Sequence, residues 1–175
     1  MRRLLAHLVR TEIGSVTIEL ALIAPVLIGV MIGIVDVSNA FSRQLAVEQG
    51  AHRAIEKIMQ TTETDTVENT LKAEAVCQVN GTNADGTCKT SPITAANVTV
   101  TYRIDCLTGS TVSSSRTTTD STAFDAMNCA TGQKEADYIE VTVTDKYTPY
   151  FRTFFSAINA DGTYHVSATA GMRTQ

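Results

Sequence analysis

The pattern of hydrophobic and polar residues divides the chain into an apolar N-terminal third and a more polar remainder. Leu20 to Val35 is a run of 16 residues without a charge, bounded by Glu19 and Asp36. Counted from Ser15, the segment has 21 residues, which meets the roughly 20 residues that an α-helix needs to cross a bilayer core. The pattern therefore predicts a membrane-spanning helix that begins beside a carboxylate.

Three residues inside this run bear on how the helix packs. Pro25 removes a backbone hydrogen bond and tends to kink a helix, but membrane helices tolerate proline where neighbours satisfy the freed carbonyl. Gly29 and Gly33 are four residues apart, so they form a face of small residues that lets another helix approach closely. We expect all three residues to take part in helix packing.

Beyond Asp36 the pattern becomes amphipathic, with charged residues away from one apolar stripe. The stripe consists of Val37, Phe41, Val47, Ala51, Ile55 and Ile58. We predict one helix from about Val16 to Gln60, whose first half lies in the bilayer and whose second half is a stalk packed on the following domain. Two helices with a bend near Asp36 fit the pattern equally well.

After Thr61, three segments alternate between apolar and polar residues, which is typical of half-buried strands. They are residues 97–106, 138–145 and 164–170, and residues 67–76 form a short predicted helix. The predicted fold class is therefore α+β: a long N-terminal helix, comprising a membrane span and an amphipathic stalk, packed on a small antiparallel β-sheet domain.

Other segments of this domain favour turns and loops. Residues 108–122 contain 11 Ser or Thr among 15 and are expected to form an exposed loop. Asn-Ala-Asp-Gly occurs at 83–86 and at 159–162; a calcium loop would need a remote bidentate Glu that is missing, so both are interpreted as turns. Residues 147–155 hold five of the ten aromatic residues, which we expect to pack on the helix or to contact a membrane surface or a partner.

Composition excludes several function classes. The formal charge of −4 argues against a nucleic-acid partner, which normally meets a basic face. We find no glycine-rich phosphate loop, no His/Cys metal spacing and no nucleophile–base pair. His52 has no second His or Cys three or four residues away, so a solvated histidine is the favoured interpretation. The sequence predicts no enzyme, no cofactor and no metal site.

All four cysteines, Cys77, Cys88, Cys106 and Cys129, follow the apolar run. An even number on one side of a membrane segment predicts two disulfides in an oxidising compartment. Of the three possible connectivities, pairing in sequence order closes the shortest loops and is favoured.

The N-terminal segment carries Arg2, Arg3 and Arg10 against a single Glu12. Basic residues before an apolar span hold that end in the cytoplasm. This orientation agrees with the positions of the cysteines. We therefore predict that the chain crosses the lipid bilayer once, with its N-terminus in the cytoplasm and its C-terminal domain on the extracytoplasmic side.

The segment from Gly14 to Leu27, which reads Gly-Ser-Val-Thr-Ile-Glu-Leu-Ala-Leu-Ile-Ala-Pro-Val-Leu, resembles the N-terminus of TadE-like proteins, the minor pseudopilins of tight-adherence (Flp) pilus systems. Such proteins typically have a glycine, a few small residues, Val/Ile-Glu-Phe/Leu-Ala and then an alanine–proline pair. The resemblance is specific over residues 14 to about 56. Leu20 stands where major pilins commonly have an aromatic residue, which favours a minor component.

The resemblance implies that a prepilin peptidase cuts between Gly14 and Ser15 on the cytoplasmic side. Residues 1–14 would be a leader, 15–60 the transmembrane and stalk helix, and 61–175 the periplasmic domain. Glu19 would become the fifth residue and pair with the N-terminal ammonium of a neighbouring subunit. The implied place is the bacterial inner membrane, and the implied partners are the peptidase, other pilins or pseudopilins and the inner-membrane proteins of pilus assembly.

An ordinary secretory signal is the alternative. Ser38-Asn39-Ala40 offers the small residues that such a cleavage site requires. A cut after Ala40 would give a secreted binding module, and an uncut chain a membrane-tethered one. Against this, the apolar stretch is longer than the usual 7–15 residues of a signal peptide.

Overall fold

The chain is described by a computed structural model that covers residues 12–60, 68–150 and 159–174, with side chains from Thr17 onward. Helix α1 spans Glu12–Gln60 and α2 spans Glu68–Asn80; a short α3 spans Ser121–Asp125. The strands are β1 (Val98–Thr108), β2 (Thr111–Thr118), β3 (Lys134–Tyr147) and β4 (Tyr164–Arg173), and a 3₁₀ turn, Ala95–Asn97, precedes β1. The predicted α+β fold is confirmed: a long helix is followed by a small antiparallel sheet.

Helix α1 is continuous at Pro25, where proline could kink it, and at Asp36, where the sequence also allowed a bend. It contains Pro25, and it passes Asp36 without interruption. It begins at Glu12, four residues before the predicted start at Val16. Of the two arrangements that the sequence allowed, the structure has the single helix.

The four strands form one antiparallel sheet in the order β2-β1-β3-β4. Val98 lies opposite Val143, and Val141 lies opposite both Val100 and Ala170. Because side chains alternate between the two faces of a strand, this register places the apolar residues of three strands on one face.

That apolar face packs against α1 and α2 and forms the hydrophobic core. Its buried members are Val98, Val100, Tyr102, Ile139, Val141, Val143, Val166 and Ala170 from the sheet, with Val47, Ala51, Ala54, Ile55, Ile58, Leu71 and Ala75 from the helices. Burying one Val, Leu or Ile side chain contributes roughly 1.5–3 kcal/mol. The stalk half of α1 is therefore part of the core of the domain.

Two residues of the predicted stripe do not belong to this core. Val37 is 51% exposed and Phe41 is 64% exposed. Both side chains line the same groove as Gly29 and Gly33, on a face of α1 that does not meet the sheet. The prediction that they pack on the domain is wrong, because the apolar stripe of α1 extends beyond the part that the sheet covers.

The Ser/Thr-rich segment 108–122 was expected to be a loop, and this expectation is also wrong. Residues 111–118 form β2, which pairs with β1 from Thr108↔Thr111 to Tyr102↔Thr118. The strand is exposed along nearly its whole length, so it has no buried face and no hydrophobic alternation. Threonine still favours extended backbone because it is β-branched, and the long β1 supplies the partner.

Gly50 lies where α1 and α2 approach most closely in this region. A Cβ atom at Gly50 would stand 2.5 Å from Cγ2 of Val79 and 3.1 Å from the carbonyl oxygen of Ala75. Glycine in a helix interior costs about 1 kcal/mol relative to alanine. Here the absence of a side chain is what lets the two helices meet.

We expect Gly50→Ala to lower the free energy of unfolding by about 1–2 kcal/mol, because the cost of overpacking, about 1–3 kcal/mol, exceeds the gain in helix propensity. Thermal unfolding of the detergent-solubilised chain measures this. In the Val79→Ala background the nearest obstacle is gone and only the Ala75 carbonyl at 3.1 Å remains, so the same substitution should destabilise the chain much less. An equal effect of Gly50→Ala in both backgrounds would contradict the packing explanation.

Candidate functional site

The residues that the resemblance singles out lie at the N-terminal end of α1. Gly14, Ser15 and Glu19 all fall within the helix. The Glu19 side chain is exposed, and its apolar neighbours Ile18 and Leu20 are 65% and 60% exposed. At a rise of 1.5 Å per residue, Glu19 is about 6 Å along the helix axis from Ser15.

The apolar half of α1 is almost wholly uncovered by the rest of the protein. Only 6% of its most apolar 18-residue window is buried. Among the described residues, α1 is the one helix that is long and apolar enough to cross a membrane by length and composition. An exposed apolar surface of this extent is found where lipid or another protein covers it.

Pro25, Gly29 and Gly33 lie along one side of this half. Together with Val26, Val30, Ile34, Val37, Ser38 and Phe41 they line a shallow apolar groove. The residues at 25, 29, 33, 37 and 41 follow a spacing of four, which keeps them on one face of a helix. The predicted helix-packing residues are therefore brought together.

Asp36 marks the end of the apolar run, and it is a residue whose role sequence reasoning missed. Its side chain is 0% exposed. The carboxylate oxygen Oδ1 accepts hydrogen bonds from the backbone N–H of Tyr150 at 2.9 Å and from the hydroxyl of Tyr147 at 3.2 Å. Burial raises the pKa of the Tyr147 phenol, so this hydroxyl stays protonated and available as a donor. Asp36 thereby fastens the end of β3 to α1 at the point where the apolar run ends.

Further along α1, the side chains of Arg43 and Gln44 contact β3 and β4. The amide Nε2 of Gln44 donates to the backbone carbonyl of Ser167 at 3.0 Å. Nε of Arg43 lies 3.9 Å from Oδ2 of Asp145, whose side chain is buried. With Asp36, these contacts fix the direction in which α1 leaves the domain.

The cysteines form two disulfides within the domain. Cys77 pairs with Cys88 at a Cα–Cα distance of 4.9 Å, and Cys106 pairs with Cys129 at 5.5 Å. This is the sequence-order connectivity that the loop lengths favoured. The first bridge holds the loop after α2, and the second joins β1 to the segment before β3.

Both Asn-Ala-Asp-Gly segments are turns, as predicted. Oδ1 of Asp85 accepts from the N–H and the hydroxyl of Thr87, and Oδ1 of Asp161 accepts from the same two groups of Thr163. One carboxylate oxygen of each aspartate is therefore bonded within the turn, and Oδ2 of Asp161 contacts Lys146 and His165. In the predicted aromatic cluster, residues 151–155 lie outside the described residues.

The interpretation of His52 as a solvated side chain agrees with its exposure on α1. In the part of the chain that the structure describes, no three His, Cys, Asp or Glu residues are arranged to hold a metal ion. The described residues do form an exposed apolar surface along α1.

Comparison with known proteins gives one family match, and it covers this part of the chain. The family model of TadE-like proteins matches residues 14–55. The match contains Glu19, the apolar groove, Asp36 and the stalk as far as Ile55, and it confirms the resemblance found in the sequence. No curated protein and no solved structure matches the chain.

Removing the Asp36 carboxylate should loosen the domain from α1. We expect Asp36→Ala to lower the free energy of unfolding by about 1–3 kcal/mol, since two partly buried hydrogen bonds are lost and each contributes about 0.5–1.5 kcal/mol. Thermal unfolding of the full chain, with hydrogen exchange at the Tyr150 amide, measures both effects.

Two variants serve as controls for this prediction. Asp36→Asn keeps an acceptor oxygen and should lose less stability than Asp36→Ala. Tyr147→Phe removes one donor and should leave the Tyr150 amide protected. If Asp36→Ala unfolds at the temperature of the unmodified chain, Asp36 is not the fastening that its contacts indicate.

Proposed function

We propose that the protein is a non-enzymatic TadE-like pseudopilin that acts in the assembly of a tight-adherence pilus. The single observation that carries this proposal is the family match at residues 14–55, which falls on an exposed apolar helix. The chain would lie in the bacterial inner membrane with its N-terminus in the cytoplasm and its disulfide-bonded domain in the periplasm.

The first step is removal of the leader by a prepilin peptidase, which cuts between Gly14 and Ser15. Both residues lie in the first turns of α1, so the peptidase must unwind a short terminal stretch to reach an extended backbone. Glycine is a poor helix former, by about 1 kcal/mol relative to alanine, and this lowers the cost of unwinding. The side-chain hydrogen bonds and the core residues that join α1 to the sheet lie at Asp36 or beyond it, so the cut removes none of them.

The second step is docking of the new N-terminus. Glu19 projects from an apolar surface, where an unpaired carboxylate is costly. Pairing with the terminal ammonium of a neighbouring subunit brings two opposite charges into the apolar contact together. Removing one member of a buried pair commonly costs about 3–5 kcal/mol, which makes Glu19 decisive for docking.

The third step is packing of helix against helix along the groove. Gly29 and Gly33 carry no side chain, so the groove is lowest at these two positions, between the flanking apolar side chains. In hydrocarbon, close van der Waals contact at small residues is a main source of helix association. Pro25 and Phe41 bound the groove along the helix, and the partner is the corresponding span of another pilin, pseudopilin or assembly protein.

The alternative, cleavage after Ala40 as an ordinary signal, is less well supported. Such a cut would remove Asp36, with its bonds to Tyr147 and Tyr150. It would also cut within a continuous helix, at a residue that is half-buried. Signal cleavage at this point would damage the domain that it releases.

The assembly role of Glu19 is tested with Glu19→Ala in a strain that lacks the native gene. We expect removal of residues 1–14 to proceed, as read from the intact mass, while pilus formation falls at least tenfold because docking loses the charge pair. Glu48→Ala is the matched control, since Glu48 is an exposed carboxylate on the stalk of the same helix, and it should leave piliation unchanged. Normal piliation with Glu19→Ala would contradict the proposed role.

A further inference from the structure

The charged residues of α1 indicate where the helix enters and leaves the hydrocarbon core of the bilayer. Glu19 and Asp36 bound the 16 uncharged residues of the span, and a carboxylate is costly in hydrocarbon. The Asp36 carboxylate is bonded to the end of β3. The end of the domain at Asp36 therefore lies where the span leaves the membrane.

Three of the five tyrosines of the chain gather at this end. Tyr147 bonds to Asp36, and the ring of Tyr164 stacks on that of Tyr147 with centroids 6.3 Å apart. Tyr150, whose amide also bonds to Asp36, has a side chain that is 76% exposed. Tyrosine has an apolar ring and a polar tip, and it is enriched at the level of the lipid headgroups for that reason.

A charged cluster sits beside these rings. The ammonium of Lys146 lies 3.0 Å from Oδ2 of Asp161, and Nε2 of His165 lies 2.7 Å from the same oxygen. Hydrogen bonds from Thr163, His165 and Lys146 lower the pKa of the Asp161 carboxyl, so it remains ionised. The side chain of Lys146 is 62% exposed. These groups need water or headgroups around them, which limits how deep this end of the domain can lie.

We infer that the end of the domain formed by Tyr147, Tyr150, Tyr164 and Lys146 rests in the headgroup layer of the outer leaflet, with Tyr150 as the inserted side chain. This inference rests on the proposed membrane span of α1. The partner is a lipid surface: apolar rings meet the upper acyl chains, and the ammonium meets lipid phosphates. The domain then has a fixed height and tilt on the membrane.

The opposite end of the sheet supplies an internal reference. Val112 is an exposed apolar side chain, at 51%, and it pairs with Leu107, which in turn pairs with Lys134 at the start of β3. Strand β3 has 14 residues, so its two ends are about 40 Å apart at roughly 3.3 Å per residue. Position 112 should therefore be far from the bilayer.

The chain has no tryptophan, so single substitutions give unambiguous fluorescence probes. The full chain carrying Tyr150→Trp, Val112→Trp or Ile28→Trp is reconstituted into phosphatidylglycerol–phosphatidylethanolamine vesicles with spin labels either at the headgroup or deep in the acyl chain. For Tyr150→Trp we expect several-fold stronger quenching by the headgroup label than for Val112→Trp, together with a blue-shifted emission. Ile28→Trp should be quenched most by the deep label.

The three variants distinguish a failure of the lipid-contact inference from a failure of the proposed membrane span. If Ile28→Trp is quenched by the deep label while Tyr150→Trp and Val112→Trp behave alike, the span stands and the lipid-contact inference is overturned. If Ile28→Trp is not quenched, the span itself is wrong. Circular dichroism checks folding, and where Tyr150→Trp fails to fold, the exposed neighbour Thr148 carries the probe as Thr148→Trp, with the same expected and contradicting results.

Discussion

The structure depends on one helix serving two environments. The stalk half of α1 buries Val47, Ala51, Ala54, Ile55 and Ile58 in the core of the domain, while the other half presents its apolar residues outward. No hinge separates the halves, because the helix is continuous from Glu12 to Gln60. A force on the span is therefore transmitted directly to the sheet, and the domain cannot keep its core without the stalk. The proposed cut after Gly14 would leave the stalk in place.

The junction between the two halves is made by a buried charge. A carboxylate at the end of an apolar run usually marks only the point where a helix meets water, yet Asp36 is fully buried and holds the backbone of Tyr150. Such a group is stable because its hydrogen bonds are made within the protein. Its donors lie 111 and 114 residues further along the chain, so no local pattern could identify them. The residue that ends the apolar run is therefore also the one that fastens the domain to α1.

The sequence predicts an element well where one face of that element is buried. The alternation in β1, β3 and β4 arises from packing on the helices, and it located all three strands to within a few residues. β2 has no buried face, so its run of Ser and Thr gave no alternation and was mistaken for a loop. The role of Gly50 could not be predicted from the sequence, because its neighbours Ala75 and Val79 belong to α2. The motif from Gly14 to Leu27 indicated the family, and the spacing of Gly29 and Gly33 predicted a packing face. That this groove extends to Phe41 became visible only in the structure.

We propose that α1 is retained from Ser15 onward in the mature protein and that only residues 1–14 are removed. The most direct test is the N-terminal residue of the protein recovered from the membranes of its native cells. The account predicts Ser15, with Glu19 and the whole apolar span retained. An N-terminus at Phe41, which would follow a cut after Ala40, or an intact Met1 would contradict it.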